Sequence, residues 1–249
     1  MSISSNAILH FTNSKETLKD ILENNFRIHY CKEEISFGDG NDFHIAVPMV
    51  SFCDIPFSQI KTHMEKYGNY GIGLTKEWAK RKKLNPVLYF AKDSYLASSY
   101  INFFKEHFKN SEKRKSIPAL SDDSKRLIDI VRYMKNYENT LIRGKNIYPN
   151  YRFYDEREWR YVLDFTDHDQ FFYPANTDKF DKKTANKSIE SYELTFEPND
   201  IKYIIIKDES EINEFINILR NAKGRKFTLD MVEKLNTRII TSTQIIDDF

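Results

Sequence analysis

Two short segments constrain the fold more than any other feature of this chain: an apolar one that ends in polar residues, and a later one that begins with carboxylates. The first, Ile8–Thr12, precedes a segment in which Leu18, Ile21 and Leu22 recur at helical spacing. The second, Glu156–Val162, lies in the second half of the chain and begins with two carboxylates. In an open sheet, polar residues at strand ends are well placed to form a site. The pairing therefore predicts a sheet with a ligand pocket at one edge.

Strand-like and helix-like segments alternate along the chain, which predicts an α+β fold with a mixed or antiparallel sheet. A strand is expected over Trp159–Phe165. Helical spacing over Ser94–Phe108 and Ser121–Tyr137 predicts a helical insertion at about residues 94–140. Residues Phe171–Ser188 are rich in Asn, Asp, Lys and Thr, which is typical of a long loop.

Composition narrows the class of protein further. With 38 Lys+Arg against 37 Asp+Glu, the chain lacks the basic excess of a general nucleic-acid binder. No apolar run is long enough for a membrane span, and the first residues do not resemble a signal peptide. Two distant cysteines, Cys31 and Cys53, fit a reduced, cytoplasmic protein. The sequence shows no linker, so residues 1–249 are expected to form a single domain. The composition allows both a monomer and a homo-oligomer.

His10 and Thr12 lie at the end of the first predicted strand, next to the start of a helix. Free N–H groups at a helix N-terminus suit phosphate, so this placement predicts a ligand-binding histidine. The alternative is a buried histidine whose ring bonds a backbone carbonyl. The segment Ser51–Pro56 leads from the end of a second predicted strand into a helix, and Ser51 or Asp54 could face a pocket. The alternative for Asp54 is that it caps this helix.

Glu156 and Glu158 alternate around Arg157. In a strand, residues i and i+2 face the same side, so both carboxylates could enter one cleft. Fixed carboxylates stabilise the oxocarbenium charge that develops when an N-glycosidic bond breaks. The alternative is a surface salt-bridge edge that these carboxylates form with Arg157 and Arg160.

Two tyrosines, Tyr67 and Tyr70, lie among three glycines. Glycine permits close approach of a ligand or a backbone, so a tyrosine here could stack on a flat heterocycle. The alternative is a tight packing site. The histidines show no metal-ligand spacing, so no metal site is predicted.

Several blocks together resemble the AbiGi family. The blocks are His10–Thr12, Val47–Pro56, Tyr67–Leu74 with Trp78, Glu156–Arg160 and Arg238–Thr241. The resemblance covers nearly the whole chain, and its middle block is the most specific part. It implies a bacterial abortive-infection protein active in phage resistance. It also implies the antitoxin half of a pair whose toxin, from the same operon, is nucleotidyltransferase-like.

A second resemblance, of fold and site, is to ADP-ribosyltransferases, and it implies a split sheet and NAD as cofactor. By this resemblance Glu158 is the catalytic carboxylate, and Glu156 orients the acceptor. The implied cofactor-binding residues are His10 at the NAD ribose, Tyr70 at the nicotinamide, Thr12 and Ser51. Tyr67 competes with Tyr70 for the aromatic position. The two resemblances leave a binding protein and an enzyme as alternatives.

Overall fold

The computed structural model describes residues 5–108, 122–164, 173–174, 180–223 and 227–248. The strands are β1 Ala7–Thr12, β2 Phe26–Arg27, β3 His29–Ser36, β4 Asp42–Cys53, β5 Tyr70–Thr75, β6 Asn85–Pro86, β7 Leu88–Phe90, β8 Met134–Asn136, β9 Glu138–Arg143, β10 Asn146–Arg152, β11 Glu158–Val162, β12 Tyr173–Pro174, β13 Glu193–Leu194, β14 Ile201–Ile206 and β15 Ile239–Thr241. The helices are α1 Lys15–Asn24, α2 Lys61–Tyr67, α3 Lys76–Arg81, α4 Tyr95–Phe108, α5 Asp122–Arg132, α6 Lys182–Ser188, α7 Ile212–Lys223, α8 Leu229–Asn236 and α9 Ser242–Asp248.

The main sheet runs in the order β15-β14-β5-β1-β4-β11-β6, and β3 and β12 also pair with the long strand β4. Its neighbours are antiparallel except for β14 and β15, which are parallel. Strands β9 and β10 form a separate antiparallel pair, and β7 pairs with β8 in parallel. The prediction of an α+β fold with a mixed sheet is confirmed.

Alternation along the strands gives the sheet two faces of different character. The first face carries Ile8 of β1, Phe52 of β4 and Ile72 of β5, and helices α1, α3 and α7 pack against it. Its side chains form one continuous apolar cluster with Trp78 of α3 at its centre. Helix α1 joins this cluster because its apolar residues share one stripe, and Ser14 starts the helix by accepting a hydrogen bond from the Thr17 N–H.

The second face carries two smaller apolar clusters instead of one. One contains Met49 of β4 and Val162 of β11 and packs under α4 and α5. The other contains Leu9 of β1 and Cys53 of β4 and packs under α2 and α9. In the register of β4 with β11, Ser51 lies between Met49 and Cys53. The polar side chains of the site described below occupy this position between the two clusters.

Gly73 of β5 lies in a tight packing site, which was the alternative to a ligand site for this glycine-rich segment. A Cβ atom at Gly73 would lie within 3 Å of the Leu9 and Tyr203 side chains. These two side chains cross β5 on the second face, so Gly73 allows the neighbouring strands β1 and β14 to pack their side chains there.

Two sequence predictions of local structure are wrong in part. The helix predicted over Ser121–Tyr137 ends at Arg132, and residues 134–136 form β8, because pairing with β7 outweighs local helix propensity. The loop predicted over Phe171–Ser188 contains helix α6, which begins where the Asp181 side chain accepts hydrogen bonds from the Lys183 and Thr184 N–H groups. Much of the rest of that prediction lies outside the described residues.

Candidate functional site

Glu158 begins β11 on the second face, and its carboxylate is enclosed by donors. Ser51 Oγ donates to Oε1 at 2.7 Å, and Lys135 Nζ lies 2.8 Å from Oε2. Arg160 Nε donates to Oε1 at 2.7 Å, and its second terminal nitrogen reaches Oε2 at 3.2 Å. Only 5% of Glu158 is exposed. We name Ser51, Lys135, Glu156, Glu158 and Arg160 the carboxylate cluster.

Arg160 is fully buried, and all three nitrogens of its guanidinium donate hydrogen bonds. Besides Glu158, it contacts Glu33 on β3 at 2.8 Å and donates to the Arg132 carbonyl at 2.9 Å. Burying an arginine without such partners is very unfavourable, because an uncompensated charge loses its hydration. Arg160 therefore ties β11 to β3 and to the end of α5.

Glu156 reaches the same cluster by a different route from the one that the sequence predicted. It does not share a strand with Glu158, since residues Phe153–Glu156 form a 3-10 turn and Arg157 has a left-handed backbone with φ 45°. The turn directs Glu156 inward, where it accepts hydrogen bonds from the hydroxyls of Tyr67 and Tyr151, the latter at 3.0 Å. The expectation that strand alternation aligns the two carboxylates is thus wrong, although both do enter one cluster.

Electrostatics keeps the cluster charged. Burial alone would raise the pKa of Glu158, but Arg160 and Lys135 beside it hold that pKa well below its ordinary value. Burial likewise opposes the charge of Lys135, yet Glu158, Glu33 and Glu156 raise the pKa of its ammonium group well above the usual value. Glu158 is consequently ionised and paired at neutral pH, not poised as a proton donor.

The remaining predicted residues lie on the opposite face of the sheet. His10 packs against the rings of Phe26 and Phe52, and its Nδ1–H donates to the Ser51 carbonyl at 2.8 Å. This is the contact described by the backbone-carbonyl alternative. Burial lowers the pKa of His10, so the ring is neutral. The Ser51 side chain and the His10 ring therefore lie on different faces of the sheet, although the His10 ring on β1 bonds the Ser51 carbonyl on the neighbouring strand β4.

Thr12 and Tyr70 are register partners on β1 and β5, and both belong to the first face. Burial and the bond to Glu211 at 3.0 Å raise the pKa of the Tyr70 hydroxyl to about 12. Of the six predicted site residues, the structure brings together Ser51, Glu156 and Glu158. It separates them by the sheet from His10, Thr12 and Tyr70. Of the two tyrosines that competed for the aromatic position, Tyr67 bonds Glu156 whereas Tyr70 bonds Glu211.

Helix α2 and the β9–β10 hairpin form the wall beside Glu156. His63 stacks on Tyr67 with ring centroids 4.2 Å apart, and the Arg143 guanidinium lies 4.4 Å from the Tyr67 ring. Lys66 lies over the ring of Tyr151 at 5.0 Å. Burial, with repulsion from Lys66, lowers the pKa of His63 to about 3. These contacts fix the hairpin against the main sheet.

Sequence reasoning missed Lys135 and Tyr151 as members of the site. Lys135 was hidden inside a predicted helix, and Tyr151 lies in a hairpin without a recognisable motif. The sequence did contain one signal that Glu158 has a charged partner. Arg160 follows Glu158 by two residues and therefore faces the same side of β11. It suggested that the carboxylate would be paired.

The surroundings of the two cysteines and of Asp54 indicate structural roles and not reactive ones. Burial raises the pKa of the Cys53 thiol far above its ordinary value, and it raises that of Cys31 to about 11. Neither thiol has the lowered pKa of a nucleophile. Asp54 pairs with Lys76 at 2.7 Å and accepts the Ser5 N–H at 2.9 Å. The turn that follows begins after Pro56 without a side-chain cap, so the helix-cap alternative for Asp54 is wrong.

A cleft near the end of the described part of the chain is lined by none of the predicted site residues. This cleft has a volume of about 470 Å³, and Asp208 and Asp248 are among its lining residues. Within the described ranges, no three His, Cys, Asp or Glu side chains are grouped so that they could hold a metal ion. Among the helices that the structure describes, none has the length and apolarity that crossing a lipid bilayer requires.

Comparison with known proteins identifies the family. The model of the family described as "Putative abortive phage resistance protein AbiGi, antitoxin" matches residues 24–207, which is most of the chain. A protein of Lactococcus lactis subsp. cremoris named "Abortive phage resistance protein AbiGi" is 25% identical over 221 residues, which cover 82% of this chain and 89% of that protein. No solved structure matches the chain. The chain belongs to the AbiGi family of abortive phage resistance proteins.

Proposed function

We propose that this chain acts in the cytoplasm as an antitoxin that neutralises a toxin from its own operon by binding it directly. The family description, which names an antitoxin, supports the pairing with a toxin. The carboxylate cluster supports binding over chemistry. Ser51, Lys135 and Arg160 all engage the same Glu158 carboxylate, so its oxygens are already occupied by the protein's own donors.

The single observation that carries this proposal is the closure of that cluster. A catalytic carboxylate must contact substrate, and Glu158 is 5% exposed with two cations within 3 Å. An ion pair of this kind, buried and fully hydrogen-bonded, fixes the relative position of the strands it joins. An antitoxin that works by binding needs such a rigid frame and no reactive group.

Co-expression tests the proposal. Cells that express the toxin of the same operon should stop growing, and simultaneous expression of this chain should restore growth. The two proteins should also co-purify through a tag on either one. Growth arrest that this chain does not relieve, with both proteins present in soluble form, would exclude the antitoxin role.

A second candidate function is ADP-ribosyl transfer from NAD. The observation that favours it is the convergence of two carboxylates, Glu156 and Glu158, with the Ser51 hydroxyl on one face of the sheet. Calorimetric titration with NAD tests it, using Glu158→Gln and His10→Ala as separate variants. Because the sheet separates these residues, only Glu158→Gln should abolish NAD binding if the pocket is on the second face. No heat from the wild-type chain would reject this candidate.

A further inference from the structure

The β9–β10 hairpin contributes almost nothing to the apolar interior of the chain. Within residues 138–152, all of which the structure describes, Leu141 is the only buried side chain, and none of these residues belongs to the three apolar clusters. The two strands pair with each other and, among the described strands, with no other. A two-stranded hairpin by itself is at best marginally stable in water. Its order therefore depends on the contacts that hold it to the rest of the chain.

Those contacts are made by polar and charged side chains on the inner side of the hairpin. Tyr151 donates a hydrogen bond to the Glu156 carboxylate at 3.0 Å. The Arg143 guanidinium lies 4.4 Å from the Tyr67 ring, and Lys66 Nζ lies 5.0 Å from the Tyr151 ring. Because polar groups can exchange such contacts for contacts with water, they hold a segment less firmly than apolar burial on both faces holds a central strand.

The pairing within the hairpin is also interrupted close to Tyr151. Asn150 has a left-handed backbone with φ 54°, and the register of β10 with β9 shifts between Tyr148 and Tyr151. A bulge of this kind leaves a residue unpaired and disrupts the ladder locally. The end of β10 therefore relies on the Tyr151 side chain more than on cross-strand pairing.

The base of the hairpin is fixed, and the carboxylate beneath the hairpin has partners elsewhere. The Tyr137 N–H donates to the Phe90 carbonyl at 2.7 Å, and the Tyr154 N–H donates to the Tyr137 carbonyl at 3.2 Å. Glu156 also lies 3.5 Å from Lys135 Nζ, which belongs to β8 and not to the hairpin. Release of the hairpin thus leaves no buried carboxylate without a counter-charge, which would otherwise be the main penalty.

We propose that the β9–β10 hairpin is a lid over the Glu156 side of the carboxylate cluster, held closed by the Tyr151–Glu156 hydrogen bond, and that it opens and unfolds as a unit while the main sheet stays folded. Opening brings solvent to the Glu156 carboxylate, which is 5% exposed when the lid is closed. Segments that rearrange when partners bind are drawn from the least stable parts of a fold. This inference goes beyond the proposed antitoxin function and does not depend on it.

Amide hydrogen exchange of the unmodified full-length chain tests the proposal. Cross-strand amides within residues 138–152 should exchange at least about a hundredfold faster than those of β1 and β5. Low urea concentrations should hardly change the hairpin rates, because a local opening exposes little surface. If the hairpin amides exchange at the same rates as β1 and β5, with the same dependence on urea, the hairpin opens only in global unfolding and the proposal is wrong.

The variant Tyr151→Phe tests the bond that holds the lid closed. It keeps the ring beside Lys66 and loses the hydroxyl, so the hairpin amides should exchange at least about tenfold faster than in the wild type, with unchanged rates in β1 and β5. Tyr148→Phe is the matched control and should exchange like the wild type. Tyr148 lies on the same strand and its ring also contacts Lys66, but its hydroxyl has no hydrogen-bond partner among the described residues.

Two results with these variants would contradict the proposal. Equal acceleration in Tyr151→Phe and Tyr148→Phe would show that the bond to Glu156 does not hold the hairpin closed. Faster exchange throughout β1 and β5 in Tyr151→Phe would show that this bond stabilises the whole fold, so that the hairpin is not a separate unit.

Discussion

The two faces of the central sheet differ in what they are built to do. The first face buries one continuous apolar cluster around Trp78, in which even His10 is neutral and bonded to a backbone carbonyl. The second face interrupts its apolar packing with the carboxylate cluster, which includes the buried ions Glu158 and Arg160. Hydrophobic burial is the larger contributor to stability, whereas buried ion pairs return little net free energy and fix geometry. The difference indicates that the first face maintains the fold and the second positions the hairpin.

The largest expected effect is on the first face. Trp78→Ala removes a fully buried ring that packs on Phe26 and Phe52 and donates to the Thr195 carbonyl at 3.1 Å. Loss of this ring should lower the free energy of unfolding by about 3–5 kcal/mol, through lost burial and the cavity left behind. Urea denaturation measures it. A loss below about 1 kcal/mol would contradict the role given to this face.

On the second face, Glu158→Gln should cost nearly as much, for an electrostatic reason. The change leaves Arg160 and Lys135 buried without their shared counter-charge, which typically costs about 3–5 kcal/mol. The exposed Glu34 on β3 offers a matched control, since Glu34→Gln should leave the urea midpoint almost unchanged. Equal losses of stability in Glu158→Gln and Glu34→Gln would show that the buried Glu158 stabilises the chain no more than an exposed glutamate does.

Lowering the pH should reduce the free energy of unfolding through His63, which packs on the second face. Its pKa in the folded chain is about 3, against about 6.5 in the unfolded chain, so the unfolded state binds the extra proton between these values. Stability should therefore fall as the pH falls below about 6.5, by up to about 1.4 kcal/mol per pH unit from this group.

The variant His63→Gln should flatten this slope. Measuring unfolding between about pH 6.5 and 5 separates the histidines from the carboxylates, which titrate nearer pH 4. A residual slope from His10 should persist, because burial lowers its pKa as well. An unchanged slope in His63→Gln would show that His63 is protonated in the folded chain.

The smallest expected effect is at Ser51, which touches the cluster with one hydroxyl. Ser51→Ala removes a 2.7 Å hydrogen bond to a charged acceptor and should cost about 1–2 kcal/mol, because Arg160 and Lys135 still neutralise Glu158. Thermal unfolding together with toxin binding checks this. A change in toxin affinity without a change in stability would mean that Ser51 contacts the partner.

The sequence predicted the elements of this fold better than their arrangement. Ser14, Thr75 and Thr228 mark helix starts by local capping, so the helices that follow them could be placed from neighbouring residues alone. The faces could not be placed, because they depend on which strands are neighbours. His10 and Glu158 both flank β4, yet their side chains point to opposite sides of it.

Part of the site was also beyond sequence reasoning. Glu156 and Glu158 were found, but the reason for their convergence is the left-handed backbone at Arg157, which a non-glycine residue seldom adopts. Lys135 comes from β8, whose existence depends on pairing with β7. Long-range pairing of this kind leaves no periodic signal in a single sequence.

The most direct test of the central claim is the stoichiometry of neutralisation. Purified toxin, assayed for its own activity, is titrated with this chain in the absence of NAD. An antitoxin that acts by binding should reduce toxin activity in proportion to the amount added, reach full inhibition at a fixed molar ratio, and give the same ratio after longer incubation. Complete inactivation by a small fraction of an equivalent, progressing with time, would contradict the account and identify an enzyme.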